Sequence, residues 1–176
     1  MKLLFTGDIN FRGLEELDSQ KCADILEDVM PYFEDADFRI VNLETPLADK
    51  EKHTPIKKSG PNLICAPRGV LLLETLHTDV CTLANNHIGD YGEGAVIDTL
   101  KNLSESGIRY CGAGENIKNA YDAVRLERMD SAFPSFLSAR TSSEWQPQRV
   151  PVQQDIIQDG SLTKLWKKRK NPDLLS

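Results

Sequence analysis

The sequence predicts an α/β fold with a mostly parallel sheet and helices on both of its faces. Short apolar runs recur along the first 130 residues, and segments with apolar residues at helical spacing separate them. Turn-forming residues, mainly Gly, Asn and Asp, mark the boundaries between the two kinds of segment. Because strands that alternate with helices usually return to the sheet in the same direction, this order favours parallel strands.

The elements follow one another along residues 1–130. The predicted strands are residues 2–6, 38–41, 79–84 and 108–111, a minor strand at 63–65 and a last strand at 123–129. The predicted helices are residues 20–32, 68–76, 93–106 and 115–121, with Ser19 as the first N-cap and Gly107 ending the third helix. Residues 49–62, which are rich in Lys, Pro, Gly and Ser, are predicted to form an exposed loop.

Composition excludes several classes of protein. The chain has 176 residues, 40% hydrophobic and 27% charged, which is typical of a globular domain. A net charge of -6 argues against nucleic acid as a partner. No apolar run approaches the roughly 20 residues that span a bilayer, so we expect no membrane segment and a cytoplasmic location. The four cysteines lack C-x-x-C spacing and are expected to be buried thiols.

Charge divides the chain into two segments. Residues 1–130 contain 14 Lys and Arg against 23 Asp and Glu, whereas residues 131–176 contain 7 against 4. The second segment also lacks sustained periodicity and ends in a basic run at residues 167–170. We therefore predict a domain at residues 1–130 and a divergent, disordered basic tail at residues 131–176.

Metal-competent side chains follow three of the predicted strands. Asp8 and Asn10 follow the first strand, Glu44 follows the second, and Asn86 and His87 follow the third. Because the carboxyl ends of parallel strands meet at one edge, these groups are expected to converge. Carboxylate, amide and imidazole together suit manganese, iron, zinc or magnesium, and a carboxylate can bridge two ions. Taken singly, each residue is equally explained as a turn former, a cap or a surface acid.

Five motifs surround or follow these residues, namely Gly7 to Phe11, Val41 to Leu47, Leu83 to Gly92, Thr99-Leu100 and Gly112 to Gly114. Together they resemble the motifs of the CapA-type capsule-synthesis (poly-γ-glutamate biosynthesis) family. The resemblance covers about residues 1–125 and is most specific in Asn-Asn-His-x-x-Asp-x-Gly. That family is similar to the calcineurin-like metallophosphoesterases, so the resemblance implies an incomplete metallophosphoesterase-like sandwich.

The resemblance also implies a role for each candidate metal ligand. Asp8 would bind a metal ion, Glu44 would bridge two ions, and Asn86 would bind the second ion. Asn10 stands where the related phosphoesterases have a histidine ligand, so the resemblance supports Asn10 as a metal ligand less strongly than it supports Asp8. Arg12 is a candidate for holding an anionic substrate, with an exposed loop arginine as the alternative.

Two further residues would carry the catalytic chemistry under the same resemblance. His87 would protonate a leaving oxygen or stabilise charge on the attacked group, and Asp90 would either orient His87 or anchor a residue that binds the metal. Hydrolysis of a phosphoester or of an amide, in an anionic or polymer-linked substrate, would fit this arrangement.

The chain departs from the family pattern in its histidines. Its only histidines are His53, His77 and His87, whereas family members are longer and take further ligands from their second half. His53 is expected to be solvated and His77 to cap a helix end. The family often has a membrane anchor and an extracytoplasmic location, neither of which this sequence indicates. A truncated or frame-shifted product and a genuine divergent tail both explain the change near Asp130.

The sequence leaves three hypotheses for function open. The first is a capsule-synthesis-related protein with a metal-dependent hydrolase half-site, which is either active or truncated and inactive. The second is a non-catalytic binding or accessory protein that keeps the fold, and the third is a remnant domain without a function of its own. An exposed sheet edge would favour association into an oligomer.

Overall fold

The computed structural model describes residues 2–11, 14 and 16–126, together with the backbone of two strands at 135–140 and 153–157. The strands are β1 Leu3–Ile9, β2 Phe38–Leu43, β3 Val80–Thr82, β4 Arg109–Cys111, β5 Val124–Leu126, β6 Ser135–Arg140 and β7 Gln153–Ile157. A parallel sheet has the order β1-β2-β3-β4, and an antiparallel sheet has the order β5-β6-β7. The α/β class and the mostly parallel sheet are therefore confirmed.

The helices lie in the connections of the parallel sheet and after its last strand. They are α1 Ser19–Leu26, α2 Met30–Glu34, α3 Val70–Thr75, α4 Gly92–Glu105 and α5 Ile117–Tyr121, with a 3-10 turn at Pro67–Gly69 before α3. Residues 63–65 do not form a strand, and Cys65 makes a single parallel bridge to Leu47 instead.

The single helix predicted at residues 20–32 is wrong, because the chain forms two helices there. Pro31 has no amide hydrogen and begins α2 in its first turn, a position where that loss costs little. The residues between α1 and α2 form turns. Asp18, and not Ser19, caps α1 by accepting a hydrogen bond from the amide of Lys21.

The two faces of the parallel sheet are covered differently. Alternation along β2 places Val41 and Leu43 in one buried cluster and Phe38 and Ile40 in another. The first cluster also contains the buried apolar side chains of α1, α2 and α3, and those of α4 at Val96, Leu100 and Leu103. The second cluster is joined by Leu126 of β5, so in the described residues a strand adjoins the face opposite these helices.

All four cysteines are buried free thiols, as predicted. Burial raises the pKa of Cys65 to about 11 and that of Cys111 to about 12. It also raises the pKa of Cys81, which lies on β3. A thiol whose pKa is raised in this way holds little thiolate near neutral pH and is therefore a poor nucleophile.

β1 is an edge strand of the parallel sheet, and Phe5 on it is 42% exposed. Association through an exposed sheet edge stays a prediction. Among the described residues, no helix is long and apolar enough to cross a membrane. The predicted disordered tail lies outside the described residues except for β6 and β7, and it too stays a prediction.

Candidate functional site

The carboxyl ends of β1, β2 and β3 bring polar side chains to one edge of the sheet. Asp8 on β1 pairs in register with Asn42 on β2, which pairs in turn with Thr82 on β3. The Asn42 amide donates a hydrogen bond to Oδ1 of Asp8, and its Oδ1 accepts one of 3.0 Å from the Thr82 hydroxyl. Asn42 therefore orients Asp8, and Thr82 fixes which way the Asn42 amide faces.

A second group of side chains joins β1 to β2 just beyond the strands. The Asn10 amide donates a hydrogen bond of 2.9 Å to Oε2 of Glu44. The other oxygen of that carboxylate, Oε1, lies 3.7 Å from Nε2 of His87. The structure thus brings Asn10, Glu44 and His87 together, as the sequence predicts for the ends of parallel strands.

His87 is held from its other side by Asp90. Nδ1 of His87 lies 2.7 Å from Oδ2 of Asp90, and the Asp90 side chain is fully buried. The same carboxylate accepts hydrogen bonds from the amide of Leu63, at 2.7 Å, and from the ammonium of Lys58. This arrangement supports the orienting role expected for Asp90 and adds Lys58 as its charged partner.

The two asparagines before His87 have different surroundings. The Asn85 amide donates to the carbonyl of Leu43 over 2.9 Å, and its side-chain oxygen accepts from the amides of His87 and Ile88, each at 2.9 Å. Asn85 therefore forms the turn that aims His87 at Glu44. Asn86 is exposed at this turn, and no hydrogen bond or ion pair of the described residues joins it to the other candidates.

Helix α4 fixes the segment that follows Glu44. The amide of Leu47 donates to Oγ1 of Thr99 at 2.9 Å, and the carbonyl of Leu47 accepts from the Asn102 amide at 2.8 Å. Leu47 and Thr99 are both fully buried. Because both backbone groups of Leu47 are bonded to α4, the segment beyond Glu44 has a fixed position relative to that helix.

The long loop at residues 49–62 is tied to the same region at several points. His53 Nε2 lies 2.7 Å from Oδ2 of Asp98 on α4, and the His53 side chain is 15% exposed. The amide of Ile56 donates to the carbonyl of Asp90 at 2.9 Å, and the Asn62 amide donates to the carbonyl of Ile56 at 3.0 Å. The expectation that His53 is solvated is therefore wrong.

The donor set fits a divalent cation in part. The carboxylates of Asp8 and Glu44 are oxygen ligands of the kind that hard divalent cations prefer, and Oε1 of Glu44 lies 3.7 Å from Nε2 of His87. Within the part of the chain that the structure describes, no three His, Cys, Asp or Glu side chains are grouped so that they could hold a metal ion. The described residues therefore supply part of a ligand set, and Arg12 lies outside them.

A family of known proteins matches almost the whole chain. Residues 2–171 match the family described as bacterial capsule synthesis protein PGA_cap. The chain belongs to this family. The match confirms the resemblance carried by the motifs, and it continues beyond residue 125 through most of the segment at 131–176.

Curated relatives in this family are longer than the chain. A capsule biosynthesis protein CapA of Bacillus anthracis is 27% identical over 168 residues, which are 89% of this chain and 40% of the relative. The PGA biosynthesis protein CapA of Bacillus subtilis is 30% identical over 72% of this chain and 33% of the relative. A probable polyglutamine synthesis accessory protein of Mycobacterium tuberculosis is 30% identical over 76% of this chain and 38% of the relative. The chain thus spans about two fifths, or less, of each of these relatives.

Sequence reasoning missed Lys58 and Asn42 as parts of the site. Asn42 lies within the motif that carries the family resemblance, but its partner Asp8 belongs to another strand. Lys58 lies in a loop 32 residues before Asp90, and only the folded chain brings the two together. The sequence did contain a signal for Lys58. Asp90 follows the buried strand β3, a buried acid needs a positively charged partner, and the Lys-rich loop at residues 49–62 precedes that strand.

Proposed function

We propose that the chain functions in poly-γ-glutamate capsule synthesis, with a metal-dependent hydrolase half-site at the carboxyl ends of β1 to β3. The observation that carries the proposal is the connected set Glu44, His87 and Asp90, in which a carboxylate and an oriented imidazole face each other. The names of the Bacillus relatives support the biological setting. Because the chain spans only 40% and 33% of these two relatives, its hydrolytic activity and its substrate are proposals.

Asp8, Asn10, Glu44 and Asn86 would hold a divalent cation in this proposal, either one ion or two. Manganese, iron, zinc or magnesium would suit oxygen ligands beside an imidazole. The bound cation would supply a water with a lowered pKa and would stabilise negative charge on the attacked group. Asn42 and Asn10 keep the two carboxylates, Asp8 and Glu44, in fixed orientations toward the site.

His87 acts as the acid of the proposed reaction. With Nδ1–H donating to Asp90, the Nε2 atom is the one available to transfer a proton to a leaving oxygen or nitrogen. The bond to the Asp90 carboxylate keeps the ring of His87 from rotating. The substrate would be anionic or polymer-linked, with a phosphoester or an amide as the bond that is cleaved.

A second candidate function is that of a non-catalytic accessory protein. The name of the Mycobacterium tuberculosis relative, a probable polyglutamine synthesis accessory protein, supports it. The two functions differ in what they require of His87, because an accessory protein needs the fold but not a proton donor at Nε2. In either case the cytoplasmic location and association through an exposed sheet edge remain predictions from the sequence.

Metal content and hydrolysis together test the proposal. The purified chain is analysed for bound metal and then assayed with manganese on a generic phosphodiester and on poly-γ-glutamate, whose cleavage is followed by chain length. We expect bound metal, and turnover that falls at least tenfold in His87→Ala and in Glu44→Gln. His77→Asn, which removes an exposed histidine at the end of α3, is the matched control. Absence of bound metal together with equal rates in the wild type and His87→Ala would overturn the hydrolase and favour the accessory protein.

A further inference from the structure

Asn85 lies in the segment that leaves β3 and turns into His87. Its side-chain amide donates a hydrogen bond of 2.9 Å to the backbone carbonyl of Leu43, the last residue of β2. Its side-chain oxygen accepts hydrogen bonds of 2.9 Å from the backbone amides of His87 and Ile88. One half-buried side chain therefore contacts both the end of β2 and the turn that follows β3.

The two sets of bonds have different effects on the chain. The bonds to the backbone amides close a local turn of a kind that asparagine and aspartate both form. The bond to Leu43 joins residues 42 positions apart, and it lies beyond Asn42 and Thr82, the last registered pair of β2 and β3. The turn thus fixes the shape of the segment that carries His87, whereas the bond to Leu43 fixes where that segment lies relative to β2.

The carbonyl of Leu43 is a well-placed anchor for this segment. It belongs to the same planar peptide unit as the nitrogen of Glu44, and that nitrogen donates a hydrogen bond of 3.1 Å to the carbonyl of Ile9 on β1. Leu43 is fully buried, where a backbone carbonyl needs a partner. A single peptide unit is therefore held by β1 on one side and by Asn85 on the other, directly before the Glu44 side chain.

We propose that Asn85 is a positioning residue of the candidate site, and that its bond to the Leu43 carbonyl sets the separation between the Glu44 carboxylate and the His87 imidazole. Two backbone amides occupy both lone pairs of its side-chain oxygen, so Asn85 acts through its neighbours. The catalytic meaning of this role rests on the proposed function, whereas the separation itself does not. If Asn85 only forms the turn, loss of the bond to Leu43 leaves the separation unchanged.

Asn85→Asp distinguishes the two roles. Aspartate has the same shape and keeps the oxygen that accepts from the two amides, but it places an acceptor where the donor faced the Leu43 carbonyl. The turn is kept and the bond to β2 is lost, whereas Asn85→Ala loses both. Asn102→Asp is the matched control, because the Asn102 amide also donates to a backbone carbonyl beyond β2, that of Leu47 at 2.8 Å.

Crystal structures of the metal-free wild type and variants measure the separation, and amide hydrogen exchange at His87 and Ile88 measures the turn. We expect the distance from Oε1 of Glu44 to Nε2 of His87 to stay near 3.7 Å in Asn102→Asp. It should increase by about 1 Å or more in Asn85→Asp and Asn85→Ala, a displacement large enough to affect catalysis. Amide exchange should stay as slow as in the wild type in Asn85→Asp and should become faster in Asn85→Ala.

Two results would overturn the proposal. One is a wild-type separation in Asn85→Asp. The other is an increase in Asn102→Asp as large as that in Asn85→Asp, because any loosening of the segment after β2 would then have the same effect. Asn85→Ser, whose shorter side chain keeps an acceptor for the turn but does not reach Leu43, replaces Asn85→Asp if that variant does not fold or loses the turn.

Hydrolysis of the phosphodiester with manganese, measured on the same variants, separates this proposal from the proposed function. A fall of kcat of about 100-fold in Asn85→Asp, with KM unchanged and with an increased separation, supports both. Wild-type protein without turnover, but with the expected increase in Asn85→Asp, refutes the hydrolase and leaves the positioning role supported. An increased separation with unchanged kcat refutes the catalytic meaning of that role.

Discussion

The amide of Asn10, just beyond β1, donates a hydrogen bond of 2.9 Å to Oε2 of Glu44, just beyond β2. This bond fixes the rotation of the Glu44 carboxylate and leaves Oε1 as the oxygen nearest to His87, at 3.7 Å. Asn10 therefore has a clear effect on the site whether or not it binds a metal ion itself.

Asn10→Ala is expected to weaken manganese binding about 10–100-fold, the usual effect of removing a group that orients a ligand. Titration calorimetry with manganese measures the change. Glu44→Gln, which removes the ligand charge, should weaken binding more. Equal affinity in the wild type and both variants would contradict the assignment of Glu44 as a ligand.

Thr99→Val is expected to destabilise the fold by about 1–3 kcal/mol, because the buried amide of Leu47 loses its acceptor while the side-chain shape is kept. Unfolding in urea measures the free energy. Thr99→Ser keeps the hydroxyl and should cost less. A larger loss in Thr99→Ser than in Thr99→Val would show that packing and not the hydrogen bond dominates.

His77→Gly is expected to stabilise the fold by about 0.5–1 kcal/mol. His77 has φ of 51° at the end of α3, in the left-handed region that side chains other than glycine disfavour. Gly107 has φ of 70° at the equivalent position after α4, so Gly107→Ala should destabilise by a similar amount. Urea unfolding measures the change in the free energy of unfolding, which should be positive in His77→Gly and negative in Gly107→Ala. A loss of stability in His77→Gly would show that the His77 side chain makes a favourable contact that outweighs the strain.

Gly114→Ala is expected to destabilise the fold by about 1–3 kcal/mol through overpacking. A Cβ atom at this position would lie 2.6 Å from the backbone nitrogen of Ala120 on α5. Thermal unfolding measures the effect. An unchanged melting temperature would mean that α5 moves away at little cost.

The thiols are expected to react slowly with a disulfide reagent in the folded chain, and all four should react once the chain is unfolded. The pKa of Cys65 is raised from 9.0 to about 11 by burial. The folded chain therefore holds the Cys65 thiol proton more tightly than the unfolded chain does. As a result, the free energy of unfolding does not depend on this thiol below pH 9 and falls as the pH rises from 9 toward 11. Rapid reaction of folded protein at neutral pH would contradict the burial.

The sequence predicts the parallel strands and the positions of their polar ends well, for a local reason. Each strand is a short apolar run that ends in a turn, and parallel strands necessarily bring their carboxyl ends together. Asp8, Glu44 and His87 could therefore be assigned to one edge before any contact was known. The metal ions and the catalytic roles remain proposals.

Contacts made by the long loop could not be predicted in the same way. His53 pairs with Asp98 across 45 residues, and Lys58 with Asp90 across 32. No periodicity encodes such contacts, because they depend on the path of a loop without regular structure. The break before Pro31 was readable in principle, since proline is excluded from a helix interior.

The order β1-β2-β3-β4 also determines when the site can exist during folding. The bond between Asn10 and Glu44 joins residues that are 34 positions apart, and the turn that carries His87 follows β3, which has to pair with β2. Such long-range closures are slow relative to local helix formation. A chain still being synthesised therefore acquires the assembled site only after β3 has left the ribosome and joined the sheet.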